Sequence, residues 1–159
     1  MARNRFTLGD WQRRGLHASF AVLLLTGVAW WGLHRWGQVE TEFGPQPHPL
    51  NPRLMRVHGA AAMIALVVLG TLLSGHVRNA WRARRNRASG AGMVAFCGVL
   101  TVTGYALYYA GSEGFRAAAS LAHLGFGLAL PVVLIVHIRR GRQARAVSEA
   151  APSGKNARG

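Results

Sequence analysis

The sequence predicts an all-α integral membrane protein, a four-helix bundle running up-down-up-down with both termini in the cytoplasm. Three observations predict it. Half of the 159 residues are hydrophobic. Only 15% are charged, against about 25% in an ordinary soluble domain. The apolar residues gather in four long blocks with arginines between them, the pattern of a polytopic membrane chain. The formal net charge of +14 therefore belongs to the loops, and it does not point to nucleic acid.

The four blocks cover residues 15–33, 54–77, 89–110 and 115–138. Each is about 20 residues long, enough to cross ~30 Å of hydrocarbon at 1.5 Å per residue. Lipid offers the backbone no partners, so each block must be a helix. The first has a basic front, like a signal peptide. It is too long for one and carries Trp30, Trp31 and Trp36 at its far end, where tryptophan suits a membrane interface. It reads as a retained helix.

Orientation follows from the basic residues. Arg3, Arg5, Arg13 and Arg14 precede the first block. Arg78, Arg82, Arg84, Arg85 and Arg87 separate the second from the third. Arg139, Arg140, Arg142, Arg145, Lys155 and Arg158 follow the fourth. The opposite side has only Arg35, Arg53, Arg56 and Arg116, offset by Glu40, Glu42 and Glu113. The positive-inside rule puts both termini in the cytoplasm, and the basic runs meet anionic headgroups of the bilayer. Residues 1–14 are then a basic cytoplasmic N-terminus, 15–140 the transmembrane domain, and 141–159 a disordered basic tail. The first outer loop contains Pro45, Pro47, Pro49 and Pro52, a density that opposes helix and strand alike. It is expected to be an ordered loop or a short interfacial cap. The last two blocks are joined by so few residues that their helices must be antiparallel neighbours. No internal repeat stands out.

Several functions are excluded. Cys97 is the only cysteine, so no intramolecular disulfide or cysteine zinc cluster forms. The five acids, Asp10, Glu40, Glu42, Glu113 and Glu149, all lie outside the apolar blocks. This removes carboxylate-pair hydrolases and weighs against an ion-coupled transporter, which keeps an acid in the membrane.

The histidines carry the chemistry. His17, His34, His58, His76, His123 and His137 sit in or at the ends of apolar blocks, where polar side chains are costly. His17, His76 and His137 fall near the cytoplasmic face, and His34, His58 and His123 near the other. His123 and His137 are 14 residues apart, ~1400° of helix and ~21 Å of rise. His58 and His76 are 18 apart, ~1800° and ~27 Å. Two helices thus each offer one histidine per tier. Small neighbours, Gly59 to Ala62 and Gly125 and Gly127, leave room for a flat macrocycle. Two imidazoles from facing helices across an apolar slot suit b-type haem. Arg13 and Arg14 beside the inner tier, and Arg53 and Arg56 beside the outer, would meet its propionates.

Structural readings compete at each position. His34 reads as a snorkelling interfacial residue and His48 as a loop residue. His76, two residues from Arg78, is divided between ligand and interface. His17, His58, His123 and His137 read as ligands.

One histidine early in the first helix, one at the start of the second, none in the third and two spaced by 14 in the fourth resemble the bacterial di-haem cytochrome b family. That family includes cytochrome b-561 and the b-type subunits of nickel–iron hydrogenases and formate dehydrogenases. The matching stretches are WQRRGLHASFAVLLLTG, RVHGAAAMIALVVLG, LTVTGYALYY and LAHLGFGLALPVVLIVH, within residues 10–140. The resemblance implies a cytochrome b-like domain in a bacterial inner membrane. It implies one haem between His17 and His137 and a second between His58 and His123. His76 departs from the pattern: it would replace His17 as the inner ligand or line a quinone pocket.

The expected function is electron transfer by two bis-histidine b haems, or by one if only His58 and His123 are kept. The expected partners are the lipid bilayer, quinone and a soluble or peripheral redox subunit, with room for a homo-oligomer. The chain is then an oxidoreductase subunit more than a stand-alone enzyme. The rival is a haem-free four-helix assembly or interaction subunit whose histidines are interfacial and whose glycines pack helices.

Overall fold

The computed structural model describes residues 9–84 and 86–150. Arg3, Arg5, Arg85, Lys155 and Arg158 lie outside the described residues, as does the tail beyond residue 150. The chain forms two compact units, Met1–Asn79 and Ala80–Gly159.

The first unit is a helical hairpin. Helix α1 spans Asp10–Trp36. The Gly9 N–H donates to the Gln12 side-chain carbonyl at 3.0 Å, and Asp10 places negative charge on the positive end of the helix dipole. The helix stops at Gly37, whose N–H closes on the Leu33 carbonyl at 2.9 Å. Strands β1 (Val39–Thr41) and β2 (Gly44–Gln46) then form a short antiparallel ribbon. Thr41 donates its hydroxyl to the Gly44 carbonyl at 2.8 Å and accepts the Phe43 N–H at 3.2 Å. Gly44 takes φ +91°, a conformation open to glycine. Proline density was expected to oppose a strand here, yet Pro45 pairs with Glu40. In a two-stranded ribbon every strand is an edge, where a missing N–H is tolerated.

Helix α2 spans Asn51–Leu72. Its proline, Pro52, falls in the first turn, where no N–H is needed. The helix passes into a π-helical stretch, Leu73–Val77, and then into α3, Arg78–Arg82. Helices α1 and α2 run antiparallel: Gln12 near the start of α1 donates to Thr71 near the end of α2 at 3.0 Å. Leu16, Val68 and Leu72 form the buried cluster between them, with Phe20 and Leu69 against it.

The second unit pairs α4 (Arg87–Tyr109) with α5 (Glu113–Ala150). The approach to α4 is fixed by Arg87, whose guanidinium donates twice to the Trp81 carbonyl, at 2.9 and 2.7 Å, and lies over the Trp81 ring. Phe96 of α4 packs on Phe126 of α5 at 4.8 Å between ring centroids. Pro131 lies inside α5 and withholds one N–H from the carbonyl a turn earlier. The expected tail began at residue 141, but α5 continues to Ala150. Gln143, Ala144 and Ala146 are residue types that favour helix.

Four helical spans are long and apolar enough to cross a membrane: Asp10–Trp36, Asn51–Arg82, Arg87–Tyr109 and Glu113–Ala144. Leu25, Met63, Val67, Val102, Leu121 and Val132 along them are exposed. So much uncovered apolar surface is untenable in water and natural in hydrocarbon. The chain is a multi-pass membrane protein by this composition.

Candidate functional site

A hydroxyl in a membrane helix has few partners and usually bonds a carbonyl one turn back. Thr26 of α1 does so, donating to the Val22 carbonyl at 2.6 Å. The same oxygen lies 2.9 Å from Nδ1 of His58 on α2. Thr103 of α4 donates to the Val99 carbonyl at 2.7 Å, and its oxygen lies 3.0 Å from Nδ1 of His123 on α5. A hydroxyl has one proton, and a carbonyl can only accept. With that proton spent on the carbonyl, each threonine oxygen must accept, and each Nδ1 must carry hydrogen. When neutral, both imidazoles therefore hold their lone pair on Nε2.

The residue after each threonine is glycine. A Cβ at Gly27 would meet His58 Cε1 at 3.3 Å, and one at Gly104 would meet His123 Cε1 at 3.3 Å. Both rings lie edge-on against bare backbone. Both histidines are half-buried.

His137 on α5 is held in a related way. Its Nδ1 lies 2.9 Å from the Ser89 hydroxyl near the start of α4. His17 lies exposed on α1, one turn beyond Arg13. Each histidine pair implied by the resemblance thus takes one member from each unit.

His76 lies in the π-helical stretch. The expectation that it shares a face with His58 counted 100° for every residue. Wider π turns break that count, so the two positions are not in phase as expected. His34 is exposed and stacks on Trp30, 4.8 Å between centroids and 7° between planes. His48 accepts the Leu50 N–H on Nδ1 at 3.1 Å, and its carbonyl accepts the Asn51 N–H at 2.9 Å. It holds the start of α2, a structural task the sequence reading did not assign. Arg13 pairs with Asp10 at 3.1 Å on the surface. Arg14, Arg53 and Arg56 are exposed.

Among the described residues, no group of three or more His, Cys, Asp or Glu could hold a metal ion. A haem requires only two protein ligands, since its ring supplies four. The residues missed by sequence reasoning are Thr26, Gly27, Ser89, Thr103 and Gly104. The signal was present: Thr-Gly occurs twice in the chain, at 26–27 and 103–104, each time on the helix before a histidine-bearing one. No family model, curated protein or solved structure matches the chain.

Proposed function

We propose that the chain is a membrane electron-transfer cytochrome b holding two b haems, each between two histidines. It would exchange electrons between the quinone pool and a partner oxidoreductase subunit. In this reading the four helices run up-down-up-down in a bacterial inner membrane, with both termini in the cytoplasm. His58 and His123 hold the outer haem, and His17 and His137 the inner one. The observation that carries the reading is the threonine oxygen at Nδ1 of both His58 and His123, at 2.9 and 3.0 Å. An imidazole whose Nδ1–H is held by a neighbour is oriented to coordinate through Nε2, as metal-binding histidines are.

Haem iron would supply one-electron chemistry, cycling between ferric and ferrous states. The chain supplies the rest. With two histidines of the chain as its ligands, the group would suit electron transfer and not oxygen activation. Arg53 and Arg56 on the first turns of α2, and Arg13 and Arg14 at the start of α1, would neutralise propionates at the two membrane edges. His76 would lie beside the inner site, toward quinone.

Haem content of single variants tests the assignment. His58→Ala and His123→Ala should each remove the same one of two haems from purified protein. Two haems retained in both variants would overturn the assignment.

A further inference from the structure

The two helical hairpins repeat one device. Residues 22–32 of α1 and 99–109 of α4 align without gaps, and five of eleven positions are identical: Val22/Val99, Leu23/Leu100, Thr26/Thr103, Gly27/Gly104 and Ala29/Ala106. Four of the five identities are those the geometry uses. Val22 and Val99 offer the carbonyls that take the threonine protons, at 2.6 and 2.7 Å. Leu23 and Leu100 offer secondary carbonyls at 3.3 and 3.2 Å. Thr26 and Thr103 meet Nδ1 at 2.9 and 3.0 Å. Gly27 and Gly104 face the ring edge at the same 3.3 Å.

Resting on the haem-binding reading above, we infer that Thr26 and Thr103 are positioning residues of this duplicated device. Each takes the Nδ1 proton of its histidine into a hydrogen bond and so sets how strongly Nε2 donates to iron. A hydroxyl that only satisfied itself would need the carbonyl and nothing more. These two make a second bond across to the neighbouring helix, and a glycine clears the ring's path both times. An Nδ1–H bonded to oxygen gives the imidazole partial imidazolate character and makes it a stronger donor. A stronger donor favours ferric over ferrous iron. Because the device occurs once in each hairpin, His58 and His123 would be tuned alike.

The test is a spectroelectrochemical titration of the full-length purified protein. It compares wild type, Thr26→Val, Thr103→Val, the double valine variant, Thr26→Ser and Thr103→Ser. Valine keeps the shape and removes the threonine oxygen, leaving His123 its backbone hydrogen bond to Leu100. The valine variants should keep both haems while the outer haem's midpoint rises, by the equivalent of about a tenfold change in its ferric–ferrous equilibrium. The double variant should shift further. Serine should restore the wild-type midpoint, and the inner haem's midpoint should not move. An unchanged outer midpoint in the double valine variant, with both haems bound, would overturn the inference and leave the haem reading standing. Wild-type protein without haem would overturn both.

Discussion

Thr26 gives its only hydroxyl proton to the carbonyl of Val22 and lies 2.9 Å from Nδ1 of His58. That one oxygen joins two levels of the molecule. It satisfies a polar group within its own helix and fixes the hydrogen of a histidine on the next. Thr103 repeats the arrangement toward His123.

The glycines beside these threonines should be intolerant of even a methyl group. A Cβ at Gly27 or Gly104 falls 3.3 Å from the imidazole edge, so the ring must give by a few tenths of an ångström. Gly27→Ala and Gly104→Ala should shift the outer haem's absorption band or lower its occupancy. Gly32→Ala, which meets nothing within 4 Å, should leave it unchanged. Visible spectra at equal protein concentration check this.

His48 should prove structural. His48→Ala removes the acceptor for the Leu50 N–H at the start of α2, and lost helix caps typically cost about 1 kcal/mol. A lower melting temperature with an unaltered haem spectrum is the expected result. His34→Ala should also leave the spectrum unaltered, because His34 stacks on Trp30 at an exposed helix end.

The inner ligand is decided by two variants. With His76 on a π-helical stretch out of phase with His58, His17→Ala should remove the inner haem and His76→Ala should retain it. Haem counts on both proteins give the answer. The opposite pattern would move the inner site to His76 and His137.

Stability of the first hairpin rests on a small apolar cluster. Leu72 is 7% exposed against Leu16 and Val68. Leu72→Ala should cost about 2 kcal/mol, the low end for a buried leucine, because the cluster is small. Thermal unfolding followed by circular dichroism should show the loss, while the outer haem's spectrum stays as it was.

The helices were legible in the sequence because lipid permits little else. Four apolar blocks of membrane length could form only helices, and arginine marked their ends. Their true limits were less legible. Helix α5 runs on past Arg140 because propensity, not hydropathy, carries it there. Pro45 enters a strand because a ribbon edge forgives a missing N–H. The candidate histidines stood out because imidazole is rare in hydrocarbon. Their threonine partners did not, since a lone Thr-Gly pair in an apolar helix looks like packing. Only the contact across the hairpin shows why it occurs twice. The phase of His76 was hidden for another reason: 100° per residue holds for α-helix, and nothing in Leu73–Val77 advertises a π turn.

The most direct measurement is the visible spectrum of detergent-purified protein, oxidised and dithionite-reduced, with a pyridine haemochromogen count. The account predicts the sharp reduced band of bis-histidine b haem and two haems per chain. Colourless protein from cells well supplied with haem would contradict it and leave a four-helix membrane subunit whose histidines serve the interface.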